Sequence, residues 1–156
     1  METDFPPMNE RGPVVGEDEI SAFEKALGAE LPADYRRFLA AVNGGQTDDA
    51  HRYFRFRRGD TAALNDVLSL NDPNPSLALD TWKPDWIPAE LHPIASATGG
   101  VVAICLRGEH RGSIWYLDQI DARPEGSNPR VAWHDRRDFH RVADSFAAFM
   151  AALTPL

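Results

Sequence analysis

The chain has 156 residues, 43% of them hydrophobic and 26% charged, with a formal net charge of −8. That size suits one domain that buries its core without staples. An acidic balance disfavours direct binding to nucleic acid, where affinity comes from neutralising phosphates, and no apolar run approaches the roughly 20 residues of a membrane span.

The charge is unevenly placed. Residues 1–34 carry nine acids against two bases, and residues 59–106 carry six against one. Between them, residues 35–58 hold six bases and two acids, and residues 107–156 are balanced. The first residues, Met1-Glu2-Thr3-Asp4-Phe5, lack the apolar h-region of a signal peptide. A single cysteine, Cys105, rules out an internal disulfide. Together these features lead us to expect a cytoplasmic protein.

Proline and glycine mark residues 1–16 as an extended lead-in. A helix is expected from Glu17, with acids in its first turn and Ile20, Phe23 and Leu27 on its buried face, ending at Gly28. A second helix follows at once. Pro32 fits its first position, Leu31, Tyr35, Phe38, Leu39 and Val42 form its apolar stripe, and Asn43-Gly44-Gly45 supplies the left-handed stop.

Tyr53 to Arg57 alternates as a strand, with Phe54 and Phe56 inward. Asp60 is expected to cap a short helix carrying Leu64, Val67 and Leu68. Residues 71–90 are irregular, with Trp82, Trp86 and Ile87 fastening them to the core. Residues 94–100 read as a strand end and turn. Val101–Leu106 and Ser113–Asp118 form a central hairpin, with Ile104 expected opposite Trp115, Val102 opposite Leu117, Cys105 opposite Ile114 and Ala103 opposite Tyr116. Residues 121–130 read as a loop and Val131–Trp133 as a last strand. The final helix runs from about Asp144 to Leu153, capped by Asp144 or Ser145, burying Phe146, Phe149, Met150 and Leu153.

Motifs of catalysis are sparse. His134, Asp135, Asp138 and His140 cluster, but their spacing matches no ligand pattern, and three arginines are interleaved. They read as a solvated loop, with no metal site. Gly44-Gly45 and Gly99-Gly100 lack the lysine and spacing of a phosphate loop. Cys105, inside an apolar strand, reads as buried and inert. No cofactor is expected from these motifs, and an enzyme or small-ligand protein using the His134–His140 cluster stands as a third reading behind two binding roles.

The order of these motifs resembles the SUKH superfamily, which includes the Smi/Knr-like regulators. Ile20-Ser21-Ala22-Phe23-Glu24, Leu27-Gly28, Leu31-Pro32-x-Asp34-Tyr35, Phe38-Leu39 and Asn43-Gly44-Gly45 carry most of the likeness. Ile94, Gly99-Gly100, Arg111-Gly112, Ile114-Trp115-Tyr116-Leu117-Asp118 and the ending Val142-Ala143-Asp144-Ser145-Phe146-x-x-Phe149 carry the rest. The resemblance implies one α+β domain over 17–156, with helices packed against a largely antiparallel β-sheet. For bacterial members it implies a non-enzymatic immunity protein that binds and neutralises a cognate toxin, often a nuclease. A scaffold or regulatory protein-interaction module is the alternative. No partner-binding residue transfers by motif. Loop position, exposure and charge single out Asp48, Asp49, Asp60, Trp82, Trp86 and Glu109 as candidate contacts with a basic toxin.

Overall fold

The computed structural model describes residues 5–119 and 132–155. Within them the chain is α+β. Strand β1 (Met8–Asn9) is followed by helices α1 (Glu17–Leu27) and α2 (Ala33–Ala41), then β2 (Gln46–Thr47). Strands β3 (Tyr53–Arg57), β4 (Asp60–Val67), β5 (Leu91–Ala97), β6 (Gly100–Cys105), β7 (Ile114–Asp118) and β8 (Phe139–Ala143) follow, and helix α3 (Phe146–Ala151) closes the fold. The last six strands form one antiparallel sheet in chain order, while β1 and β2 pair as a separate ribbon. Gly45 joins ribbon to sheet by exchanging two hydrogen bonds with Val67, at 3.0 and 2.8 Å.

The sheet is apolar on both faces. On β6, Val102 and Ile104 point to the helices, whereas Val101, Ala103 and Cys105 point to the other side. The helix side is aromatic: Tyr35, Phe38 and Phe146 meet with ring centroids 4.8–6.3 Å apart. Phe5 adds a ring to this group, 5.2 Å from Phe38. The lead-in is therefore packed into the core through Phe5 and paired through β1. The far side is covered by Ile87 and Phe139, with Trp82 and Trp133 half-buried against it.

The motif residues have specific jobs. Asp34 accepts from the Ala147 amide at 2.9 Å, so α2 satisfies an orphan donor in the first turn of α3. Arg36 reaches Glu17 and Glu24 and ties α2 to α1. Arg107 donates to the carbonyls of Leu27 and Gly28, and Arg111 to Glu30, so the charged β6–β7 loop satisfies the C-terminal end of α1. Asn43, Gly44 and Gly45 all have positive φ, at 57°, 85° and 119°. A Cβ on Gly44 would lie 2.7 Å from the carbonyl oxygens of Val67 and Leu68, and one on Gly45 would lie 2.4 Å from that of Asn9. Beside them the Asn43 side chain is buried and bonds to Pro13 O, Leu70 O and Leu70 N at 2.6, 3.0 and 2.8 Å. This tripeptide is a helix stop and also the knot that joins lead-in, helix pair and sheet.

Several expectations are corrected. Asp60 opens strand β4 and caps no helix. Gly59, with φ of 79°, turns the chain back after Arg57, and Ala62 and Leu64 then alternate inward. A register shift between Leu64 and Val67 buries both Val67 and Leu68, which imitates a helical spacing. The hairpin register is one residue from the expected one. Ile104 faces Ile114, Ala103 faces Trp115, Val102 faces Tyr116 and Val101 faces Leu117, because Cys105 bonds with Ser113 and Gly112. A slip of one residue exchanges faces, so Trp115 lies on the far side and Tyr116 on the helix side. The last strand is Phe139–Ala143, while Trp133–Asp135 is a short 3-10 turn. Residues 121–130 and Val131 lie outside the described residues. Pro32 stands one position before α2, and α3 is shorter than expected, capped by Ser145 through the Ala148 amide.

Candidate functional site

The six candidate contacts do not form one patch. Asp48 and Asp49 lead into β3, where Asp48 bonds His51 at 2.6 Å and Asp49 lies 3.2 Å from Arg52. Asp60 pairs with Arg57 in the turn at the other end of β3. A five-residue strand separates them by about 17 Å. Glu109 is exposed at the β6–β7 loop, 3.7 Å from His110. Trp82 is half-buried against both cores, and Trp86 remains 39% exposed. The four acids named here each have a local basic partner, which blunts their reach toward a second protein.

The described part of the histidine-rich segment is likewise engaged internally. Asp138 is buried and takes a two-pronged bond from Arg136, at 3.0 and 2.6 Å. His140 stacks on Tyr116, and His134 lies against His110 and Trp133. No group of three or more metal-binding side chains occurs among the described residues. Burial raises the Cys105 thiol above its ordinary pKa, which keeps it protonated and unreactive.

A different set of carboxylates is brought together by folding. The ridge Ser69–Pro73 separates two depressions. One, of about 500 Å³, is lined by Glu10, Asp66 and Asp72 above Pro13, Val67 and Leu77. The other, of about 390 Å³, lies between α1 and the ridge and is rimmed by Glu19 and Asp80. The bonds these acids make are mostly to neutral donors. Asp66 accepts from Gln46 at 2.8 Å, Asp72 from the Asn74 amide at 2.8 Å, Asp80 from the Asn71 amide at 3.1 Å, and Glu19 from Asn71 and the Gly16 amide. None of the five has a cationic partner among the described residues, and Arg11 is the one base lining either depression. Loop inspection missed this face because its residues come from the lead-in, α1, β4 and the 71–90 segment. The signal was in the charge blocks: the two acidic stretches, 1–34 and 59–106, fold against one another.

Beneath the same ridge, His92 of β5 is buried and bonds the Leu79 carbonyl through Nε2 at 2.7 Å, which fixes the 71–90 segment to the sheet. Burial pushes its pKa below the usual imidazole value.

The SMI1 / KNR4 family (SUKH-1) matches residues 15–152. The chain belongs to this family. Among its motif residues, Asp34, Asn43 and the glycine pair hold elements together, whereas Ala22, Phe23 and Leu27 line the smaller depression and Gly45 the larger. The chain is also similar to a SPbeta prophage-derived uncharacterized protein, YokK, of Bacillus subtilis (strain 168), at 27% identity over 87% of this chain and 73% of the relative. Among the described residues no helix of this SUKH-1 protein is long and apolar enough to cross a membrane.

Proposed function

We propose that this SUKH-1 protein is an immunity protein that binds a cognate bacterial toxin and neutralises it without chemistry of its own. The supporting observation is the acidic face: Glu10, Glu19, Asp66, Asp72 and Asp80 border two adjoining depressions without a cationic partner among the described residues. Clustered carboxylates steer a basic partner into encounter and reject acidic ones. A nuclease toxin has such a basic surface, because it must hold phosphates, and carboxylates on this face stand in for them. The family and the similarity to a prophage-derived protein are consistent with this role.

The test is co-expression with the toxin encoded beside this gene. Survival of the host and co-elution of a stable complex are expected. Unchanged killing with no complex at micromolar concentration overturns the reading.

A further inference from the structure

The smaller depression points to more than charge. Along α1, Ile20 and Phe23 face the core, yet Ala22 and Ala26 are exposed, with Leu27 half-buried beside them against the core. These three residues form one wall of the depression beside Asn71 and Asp80, with Phe23 and Leu70 buried at its floor. The groove has two unlike ends. Toward the start of α1, Glu19 bonds Asn71 at 2.8 Å, and Asp80 bonds the Asn71 amide, so two carboxylates without cationic partners meet at one residue. Toward the end of α1, Arg107 occupies the Leu27 and Gly28 carbonyls.

We propose that this groove, within the acidic face described above, seats an amphipathic helix of the partner. Its apolar side chains lie over Ala22, Ala26 and Leu27, and a lysine or arginine at one end meets Glu19 and Asp80. The shape supports a helix: the exposed Ala22 and Ala26, four residues apart, are small enough to let a second helix approach closely along α1. The charge fixes its direction, since a cation at the Arg107 end meets repulsion. The inference rests on the toxin-binding reading but makes a separate claim, that an apolar anchor contributes to capture.

The probe is a synthetic amphipathic helix of about 18 residues, long enough to hold helicity, with leucines on one face and lysines confined to one end. A scrambled peptide of identical composition is the control. Titration into the isotopically labelled full chain is expected to shift amide signals of Ala22–Leu27, Leu70 and Asn71. A26R fills the groove at an exposed helical position that tolerates arginine, so the protein stays folded, as its amide spectrum will show. A26R should weaken the peptide about tenfold or more, as filling an anchor pocket does. E19Q and D80N should each weaken it about threefold, the scale of an exposed charge pair. Equal binding of the scrambled peptide, or shifts spread over every acidic segment, overturns the groove. So does full toxin binding by A26R, which would leave the immunity reading intact.

Discussion

The two faces of the sheet are covered by different means. On the helix face, Tyr35, Phe38, Phe54, Phe146 and Phe149 interlock, and every one is 4% exposed or less. Regular elements supply them, at positions set by helical and strand periods. On the far face, Ile87 and Trp82 come from the irregular 71–90 segment, and Trp133 from a short turn. The difference separates two tasks. The helix face builds the family's scaffold. The 71–90 segment covers the far face from beneath, and its stretch up to Asp80 also supplies one wall of each acidic depression.

That division predicts unequal responses to substitution. Phe146→Ala leaves a cavity among three other rings and should cost about 4 kcal/mol, measured as a lower urea midpoint with the m-value kept. Asn43→Ala strips partners from the Leu70 amide, the Leu70 carbonyl and the Pro13 carbonyl in a buried site, and should cost about 3 kcal/mol by the same measurement. Ile87→Ala should cost about 2 kcal/mol, at the low end for a buried aliphatic, because an irregular segment relaxes into the space more readily. Hydrogen exchange sharpens this contrast: I87A should speed exchange across residues 77–91 and leave α2 and α3 protected. A global loss of protection would show the two faces to be one cooperative unit.

The smallest effect concerns pH. His92 stays neutral in the fold because burial holds its pKa below the unfolded value. Its contribution is therefore complete above the unfolded pKa of about 6.5 and falls as pH drops through that value, because only the unfolded chain takes the proton easily. The loss is at most about 1.4 kcal/mol per pH unit. Urea midpoints from pH 7.5 down to 5 should decline more steeply for the wild type than for His92→Gln, whose amide nitrogen matches the ring Nε2 and keeps a donor for the Leu79 carbonyl. Matching slopes would remove His92 as the pH-sensitive latch of the 71–90 segment.

How much was legible follows the same divide. The ends of α1 and α2, the inward phenylalanines of β3 and the buried face of α3 are written locally, in caps and periods. The β6–β7 register was not, because a slip of one residue is decided by loop closure at Cys105 and Ser113 and leaves the composition of either face nearly unchanged. Strand β4 was hidden by a register irregularity that counterfeits a helical spacing. The candidate acids chosen from loops, Asp48, Asp49, Asp60 and Glu109, lie beside histidines or arginines close in sequence. Those at the depressions are far apart in sequence, and only the tertiary fold unites Glu10 with Asp66 and Glu19 with Asp80.

The central claim is that the acidic face captures the toxin. Its most direct test is calorimetric titration of the purified toxin with the wild type and with the combined variant Glu10→Gln, Asp66→Asn, Asp72→Asn, at low and moderate salt. Three lost charges should weaken binding at low salt by about tenfold or more and flatten the salt dependence, while the unfolding free energy stays within about 0.5 kcal/mol of wild type. Equal affinity and equal salt dependence in the folded variant would contradict the account and move the binding surface elsewhere.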